Sequence, residues 1–521
     1  MKTLPLIDLG IIFLYLIAMV YVGYFFSRKN KNAGQFTVAS GHIPGWAIGL
    51  SIYATFLSSN TFLGVPGKAF GGNWNAFAFS ISMPLAAWLA AKYFVPFYRN
   101  TGEVSAYTNL EKRFGPWART YAVICFLLTQ IARMGSIFFG LSLTLQALTG
   151  YNMQVIMLVT GACIILYTVM GGIEAVIWTE VVQGILKTLG AVLIVYLVIS
   201  NVSGGMGKII EIGSADNKFS LGSMKLDFTK AGFWVTLLYG FFINLNNFGM
   251  DQNYVQRYHT ATSKKEASKS VWLCVWIYVP ASLLFFIIGS CLYAYYQLNP
   301  TLLDPIRLQV AAERLGAGAS SVDITSLAAA LKPEDYGDKV MPHFMVTMIP
   351  AGLVGLIISA ILSAGMSTIS SGMNASATVF TEDIHKRYIR KSSTDKQELR
   401  LLHMATVVFG LLGMIAGVLM IGVKSVLDIW WQLSGIFAGG MLGLFLLGII
   451  SKRTGNRPAM AAAIVGVLVI MWMTLSYLIP DQYSYLRNPL HANMIIVVGT
   501  LMIFLSGVFF SAFKKRNVSH R

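Results

Sequence analysis

Charged residues are scarce in this chain, and acidic residues are scarcer than basic ones. Only 12% of the 521 residues are Asp, Glu, Lys or Arg, and 22 acidic residues stand against 39 basic ones, for a formal charge of +17. Soluble domains average about 25% charged residues. Since 55% of the chain is hydrophobic, this deficit disfavours a soluble protein and predicts a polytopic membrane protein.

Motifs for covalent chemistry are also missing. The seven histidines show no HExxH or other ligand spacing, and no Walker-type or GxGxxG loop occurs. No paired Asp or clustered His lies near a predicted membrane boundary, and the chain ends shortly after its last apolar run. We therefore expect neither an ATP-driven pump, nor an enzyme, nor a sensor with a soluble domain. The four cysteines lie in apolar segments without CxxC pairing and are predicted to be inert thiols.

Long apolar runs, by contrast, are plentiful. A bilayer core of about 30 Å needs about 20 apolar residues per helix, and this length predicts an all-α protein with about 13 spans. The first run is too long for a cleaved signal peptide and is predicted to be a retained span. The predicted spans are residues 4–27, 44–70, 73–98, 117–148, 153–170, 172–201, 231–257, 270–297, 343–380, 401–421, 426–450, 458–479 and 490–513.

Basic residues concentrate in alternate loops between these spans. By the positive-inside rule such loops are cytoplasmic, which predicts an external N-terminus and a cytoplasmic C-terminus. Topology therefore explains the positive charge, and no nucleic-acid partner is expected. The loop cations are Arg28, Lys29, Lys31, Arg99, Lys112, Arg113, Arg119, Arg257, Lys264, Lys265, Lys269, Lys386, Arg387, Arg390, Lys391, Lys452, Arg453, Arg457, Lys514, Lys515 and Arg516.

Two predicted spans carry polar clusters at mid-membrane depth. One reads TFLSSNTF, followed by Gly64 and Pro66, and the other reads INLNNFGMDQN, which includes Asn244 and Asn247. Two interrupted segments, each followed by four more spans, are typical of inverted-repeat transporters, whose unwound backbone binds ions and substrate. The alternative is that these polar side chains only hold helices together.

The ninth predicted span is rich in hydroxyl groups. It reads ILSAGMSTISSGMNASATVF, and its small and polar residues recur at spacings of three, four and seven, which places many oxygens on one helical face. Neutral oxygens without a carboxylate cage suit a weakly held monovalent cation such as Na⁺. The residues on this face are Ala364, Ser367, Thr368, Ser370, Ser371 and Asn374.

Arg133 lies near the middle of the apolar stretch FLLTQIARMGSIFFG, which contains no acidic residue. An arginine at the centre of a bilayer costs about 2.5–3.5 kcal/mol on insertion scales and therefore faces a cavity and a partner. Its planar guanidinium pairs bidentately with a carboxylate. We interpret the partner as an anionic substrate; the alternative is an internal pair with Asp251 or Glu180.

Four segments together resemble one known family. They are SIYATFLSSNTFLG, MGGIEAVIWTEVVQG, DQNYVQRY and ILSAGMSTISSGMNASATVFTEDI. In this order and spacing they resemble the sodium:solute symporters, which implies a five-plus-five inverted-repeat (LeuT-like) core, lipid as surroundings and sodium as the coupling ion. The implied divisions are a first helix and loop at 1–43, repeats at 44–203 and 231–450, an external segment at 204–230 and two final helices within 451–521, with a second external loop at 298–342.

The resemblance also implies ion ligands. A first sodium is expected at the carbonyl oxygens of Ala54, Leu57 and Ala364 with the hydroxyls of Ser367 and Thr368. Some members bind a second sodium, for which Glu180 stands where they have Asp, opposite Ser367, Ser370 and Ser371. The longer carboxylate leaves that second site open, because Glu180 could instead pair with Lys187 on the same helical face.

The substrate is implied by the branch of the family. Arg133 and the SSNTF and PGKAF segments are most similar to bacterial sodium and sialic acid symporters, whose arginine on this helix holds the substrate carboxylate. Substrate contacts are then expected at Ser58, Thr61 and Arg133. Asn244 and Asn247, in the second interrupted span, are further candidates for substrate binding. Phe56 and Ser80 occupy two further contact positions but depart from the Thr and Gln of the related member.

The expected function is sodium-coupled uptake of sialic acid (N-acetylneuraminic acid) across a bacterial cytoplasmic membrane, by a carrier that works as a monomer. A neutral sugar or another carboxylate is the alternative substrate.

Overall fold

The structure is a computed structural model that describes residues 4–27, 32–316, 318–390, 393–421 and 426–512. Fourteen helical elements of these residues form the membrane core and are numbered in chain order. They are α1 (Leu6–Ser27), α2 (Gly45–Phe56), α3 (Ser59–Gly71), α4 (Trp74–Thr101), α5 (Pro116–Thr149), α6 (Met153–Ser200), α7 (Phe233–Met250), α8 (Gln252–Thr260), α9 (Lys264–Leu298), α10 (Leu353–Val379), α11 (Asp395–Leu419), α12 (Val426–Ile450), α13 (Asn456–Leu475) and α14 (Met494–Ala512).

Shorter helices connect these elements. Strand pairing among the described residues is limited to one isolated bridge between Ile43 and Ala261, so the predicted all-α class is confirmed. The stretch RLQVAAERL, within the predicted second external loop, forms part of a helix at Asp304–Leu315. The other connecting α-helices of six or more residues are Ala33–Val38, Thr108–Phe114, Gly205–Ala215, Ser321–Ala330 and Pro333–Met348. A 3₁₀-helix of six residues lies at Asp481–Leu486, and α10 continues in a wider turn through Phe380–Ile389.

The span count of thirteen stays a prediction. By length and composition, ten helices of the described residues could cross a membrane, or eleven if α2 and α3 form one bent span. However, α6 contains 48 residues, about 72 Å of helix, which is more than twice a bilayer core. It is interrupted at Gly172, where φ is 57° and ψ is −161°, and this break falls at the predicted boundary between two spans.

Both predicted helix breaks are present. The axes of α2 and α3 differ by 56°, because Leu57 and Ser58 leave helical geometry between them. Between α7 and α8 the extended residue is Asp251, whose side chain accepts a hydrogen bond from the Asn253 N–H and so begins α8. Each break exposes backbone groups inside the protein rather than to lipid, which is where irregular backbone is tolerated at membrane depth.

Helix α10 is the buried centre of the bundle. It packs against α1, α5, α6 and α11, and also contacts α2, α3 and α8. Almost all of its residues are buried, which explains why small residues predominate along it: they let neighbouring helices approach closely. The C-terminal pair α13 and α14 packs outside this centre, mainly through α14 against α12.

Two sequence-based expectations differ from the structure. The predicted span at 343–380 begins instead at Leu353, because Pro333–Met348 is a separate helix. Arg257, assigned to a cytoplasmic loop, lies inside α8 with only 1% of its surface exposed. It is therefore a core residue and not a loop cation. All four cysteines are free thiols. Cys274 and Cys291 are buried, and Cys125 and Cys163 are half-buried.

A glycine allows α9 to lie directly against α3. A Cβ atom on Gly289 would approach the Ala69 Cβ to 2.6 Å and the Pro66 Cα to 3.0 Å. Both distances are too short for ordinary carbon contacts, so the helices would have to separate to admit a methyl group.

We expect Gly289→Ala to destabilise the protein, by about 1–3 kcal/mol, because overpacking at a close helix contact outweighs the helix propensity gained. The control is Gly10→Ala in α1, where a Cβ meets no atom within 4 Å. The measurement is thermal unfolding in detergent. A Gly289→Ala protein as stable as the Gly10→Ala protein would contradict the close contact.

Candidate functional site

A small cavity lies beside the break between α2 and α3. It encloses about 70 Å³ and combines a polar side with an aromatic wall. Six sequence-predicted residues line it: Phe56, Ser58, Thr61, Ser80, Arg133 and Asn247. The remaining lining residues are Asn60, Val65, Ala76, Phe79, Tyr239, Ile243, Tyr278, Ser282, Phe286, Trp430 and Trp431.

Arg133 extends from α5 to the end of α2. Its Nη2 donates to the Thr55 carbonyl oxygen at 3.0 Å and to the Tyr254 hydroxyl at 3.3 Å. Its Nη1 lies 4.0 Å from the Asp251 carboxylate, and the guanidinium sits over the Trp430 ring at 5.6 Å. The internal pair that the sequence left as an alternative is therefore present with Asp251, but at the outer limit of an ion-pair contact.

Asp251 already has other hydrogen-bond donors. One carboxylate oxygen accepts from the backbone and side-chain nitrogens of Asn253 at 2.8 and 2.7 Å, and the other accepts from Gln130 at 3.3 Å. These bonds hold the carboxylate as the cap of α8. Consequently Arg133 stands in the cavity with a nearby but not closely bound counter-charge.

Aromatic rings close one side of the cavity. The Phe56 ring lies 4.8 to 5.5 Å, centroid to centroid, from Phe248, Tyr254 and Tyr278. On another side, Trp431 stacks on Phe79 and lies 5.1 Å from Tyr239, whose hydroxyl donates to the Trp431 carbonyl oxygen. Phe56 thus joins an aromatic layer instead of presenting a hydroxyl, as a Thr would.

The two asparagines predicted for substrate differ in placement. Asn247 lines the cavity. Asn244 does not point there, because its amide donates to the Phe79 carbonyl and the Ser82 hydroxyl, both at 3.2 Å. It therefore links α7 to α4. This is the alternative role that the sequence left open, in which a polar side chain holds two helices together. Ser80 also faces a partner, with its hydroxyl 2.8 Å from that of Ser282.

The five groups expected for the first sodium converge between α2 and α10. The Ser367 hydroxyl donates to the carbonyl oxygens of Ala54 at 3.0 Å and Ala364 at 3.2 Å. The Thr368 hydroxyl lies 3.4 Å from the Ala364 carbonyl and 3.1 Å from that of Thr55. The sequence-based set is therefore brought together spatially, at the carbonyl end of a broken helix, where the helix dipole favours a positive charge.

That positive charge is supplied by Lys187. Its ammonium, carried by α6, donates to the Ala54 carbonyl at 2.6 Å, the Leu57 carbonyl at 2.8 Å and the Ser367 hydroxyl at 2.9 Å. The side chain is fully buried. Glu180, which the sequence left open as an alternative partner of Lys187, binds other residues.

Glu180 forms a buried ion pair with Arg257. The Arg257 Nη2 donates to both carboxylate oxygens, at 2.9 and 2.7 Å. The carboxylate also accepts from Thr55 at 3.2 Å and from the hydroxyls of Ser51 and Ser371. Of the serines expected for the second sodium, Ser371 contacts Glu180, Ser367 contacts Lys187, and Ser370 donates to the Ser367 carbonyl. Arg257 thus stands where the second sodium was expected to bind Glu180.

Sequence reasoning missed Lys187 and Arg257 as site residues. Arg257 lies six residues after the polar break at Asp251, inside the quoted segment DQNYVQRY, and was counted as a loop cation. Lys187 lies two helical turns after Glu180, within an apolar run of α6. A basic residue inside a predicted span was the available signal, since such residues are rare and functional in membranes.

Comparison with known proteins decides the family. A model of the sodium:solute symporter family matches residues 36–466. The chain belongs to the sodium:solute symporter family. Among its relatives, the sodium/sialic acid symporter NanT of Aliivibrio fischeri is 31% identical, over 98% of this chain and 93% of its own length. The sodium/sialic acid symporter SiaT of Proteus mirabilis is 33% identical, over 95% of this chain and 94% of its own length.

A solved structure gives the same family relation. It is described as the substrate-bound outward-open state of a Na⁺-coupled sialic acid symporter, and it matches with a TM-score of 0.84 at 30% identity, covering 97% of this chain and 98% of its own. The LeuT-like fold expected of this multi-span membrane protein is thereby confirmed. The family and these relatives are transporters.

We expect Glu180→Gln to destabilise the symporter strongly, by about 3–5 kcal/mol, because it leaves the buried Arg257 without its counter-charge. The double variant Glu180→Gln/Arg257→Gln is expected to recover part of this loss, because no uncompensated charge remains. The measurement is unfolding in detergent of both single variants, the double variant and wild type. If the stability loss of the double variant equals the sum of the losses of the two single variants, the two charges do not interact.

Proposed function

We propose that this chain is a secondary active transporter that couples inward sodium flow to uptake of a small organic anion by alternating access, with sialic acid as the substrate. The observation that carries the proposal is Arg133, a buried cation that lines the cavity at the break between α2 and α3. The names of the relatives support the same substrate class.

The cavity offers chemistry for a sugar acid. A substrate carboxylate accepts hydrogen bonds from Arg133, which is better satisfied by a close anion than by Asp251 at 4.0 Å. Ser58, Thr61 and Asn247 supply polar contacts for hydroxyl or amide groups on the same side. The aromatic wall provides apolar surface for a ring.

The size of the cavity supports a moving carrier. Sites for drug-sized ligands measure roughly 300–1,000 Å³, whereas this cavity encloses about 70 Å³. A sugar acid enters only if the aromatic wall formed by Phe79, Tyr239 and Trp431 or the layer around Phe56 moves aside. We therefore assign these two groups as the gates.

Sodium coupling acts through α2 and α10. An ion held by the carbonyls of Ala54, Leu57 and Ala364 and the hydroxyls of Ser367 and Thr368 joins the broken helix to the buried central helix. The same break carries Phe56, Ser58 and Thr61 of the cavity, so ion binding and substrate binding favour one arrangement of α2 and α3. Mutual stabilisation of this kind is thermodynamic coupling. A second ion near Glu180 and Ser371 requires that Arg257 move.

The proposed setting is a bacterial cytoplasmic membrane, with the N-terminus outside, the C-terminus inside, and a monomer as the working unit. Transport needs no covalent step, and we assign no catalytic residue to the chain.

Uptake into proteoliposomes tests the proposed function. Labelled N-acetylneuraminic acid is expected to accumulate under an inward sodium gradient and not under a choline gradient. Competition by short carboxylates and by neutral sugars reads out the alternative substrates. Accumulation of a neutral sugar with no effect of sialic acid would overturn the assignment of an anion.

We expect Arg133→Gln to weaken substrate binding about 10- to 100-fold, since it removes a charged hydrogen-bond donor to the carboxylate. The control is Arg307→Gln, on the peripheral helix Asp304–Leu315, which is expected to leave uptake unchanged. The measurement is the concentration dependence of sodium-driven uptake, alongside a melting temperature to verify folding. Wild-type uptake by a folded Arg133→Gln protein would remove Arg133 from the substrate site.

A further inference from the structure

The ammonium of Lys187 lies in the position expected for the first sodium. Three of the expected ligands accept hydrogen bonds from it. They are the carbonyl oxygens of Ala54 at 2.6 Å and Leu57 at 2.8 Å and the hydroxyl of Ser367 at 2.9 Å. Through Ser367 it also connects to the Ala364 carbonyl. An ammonium is a point charge with three donors, and here it meets three oxygen atoms.

The surroundings of Lys187 explain why it takes this position. The nearest carboxylate on its own helix, Glu180, already binds Arg257 through both oxygens. The carbonyl end of α2 is a negative region that the ammonium does reach. It needs donors because helix-terminal carbonyls have no partners within the helix.

The charges around the two breaks leave little room for an added cation. Among the side chains that the structure describes in this region, the cations Lys187, Arg257 and Arg133 stand against two carboxylates, those of Glu180 and Asp251. An ion placed among the same oxygens would contact the ammonium itself and would share its acceptors. Steric overlap and like-charge repulsion therefore both oppose simultaneous binding.

We propose that the Lys187 ammonium and a sodium ion are mutually exclusive occupants of the first sodium position. With the ammonium in place, Lys187 joins α2 to α10 as the ion would, and sodium binds there only when the side chain has left. The proposal rests on the sodium site of the proposed function, but it assigns a residue of α6 as the competitor of the ion.

A sodium titration of the purified full-length protein tests this exclusion without any organic substrate. Sodium chloride replaces choline chloride at constant ionic strength, and the readouts are the melting temperature and binding of radioactive sodium. The variant Lys187→Met approximately keeps the length of the side chain but removes its charge. We expect it to lower the sodium concentration that gives half of the maximal response at least about tenfold relative to wild type.

The matched control is Lys218→Met. Lys218 also donates from its ammonium to helix-terminal carbonyls, those of Phe70 and Gly72 at 2.7 and 3.0 Å, but outside the site. Its variant is expected to keep the wild-type sodium response. Adding Ser367→Ala to Lys187→Met is expected to abolish the gained response, which locates the ion. If Lys187→Met does not fold, Lys187→Gln takes its place.

The outcomes separate this proposal from the proposed function. Equal sodium responses of wild type and Lys187→Met, or no sodium response in either, would overturn the exclusion. A wild type that takes up the anion without sodium, together with a sodium-responsive Lys187→Met, would support the exclusion and overturn sodium coupling. A failure to take up sialic acid would overturn the substrate and leave the sodium titration unaffected.

Discussion

A helix that stops inside a membrane must find hydrogen-bond donors for its last carbonyl groups, because lipid supplies none. In this protein the constraint falls on α2, which ends at Phe56. Lys187 and Ser367 donate hydrogen bonds to the Ala54 carbonyl. Lys187 also donates to the Leu57 carbonyl, and Thr368 and Arg133 donate to the Thr55 carbonyl. The donors come from α5, α6 and α10, so one broken helix fixes the positions of three others.

The substrate cavity and the expected ion position are therefore parts of one arrangement. Arg133 lines the cavity and donates a hydrogen bond from one nitrogen to the end of α2. Lys187 donates to the same end from α6. The Glu180–Arg257 pair lies beside them and links α6 to α8, the helix that follows the second break. Movement of either broken helix must rearrange these buried charges, which is a physical basis for coupling between sites.

Much of the site was predictable because it is local in sequence. The TFLSSNTF and INLNNFGMDQN segments are polar where a lipid-facing helix would be apolar, and both are broken in the structure. Hydroxyls at helical spacing in α10 face the end of α2, since spacing along one helix defines a face. Asn244 and Asn247 show the limit: they are three residues apart on one helix, yet only Asn247 lines the cavity.

The sequence by itself determined the membrane class, the two helix breaks and the hydroxyl-rich face of α10 that could bind a monovalent cation. Each follows from composition or from a pattern within one segment. Only the tertiary structure decided which charges meet. The sequence left open a pair between Lys187 and Glu180 on one helix. In the structure Arg257 from α8 binds that carboxylate, and the Lys187 ammonium binds the carbonyls of α2. Buried charges choose partners by three-dimensional proximity and by competition for a few acceptors, and sequence spacing records neither.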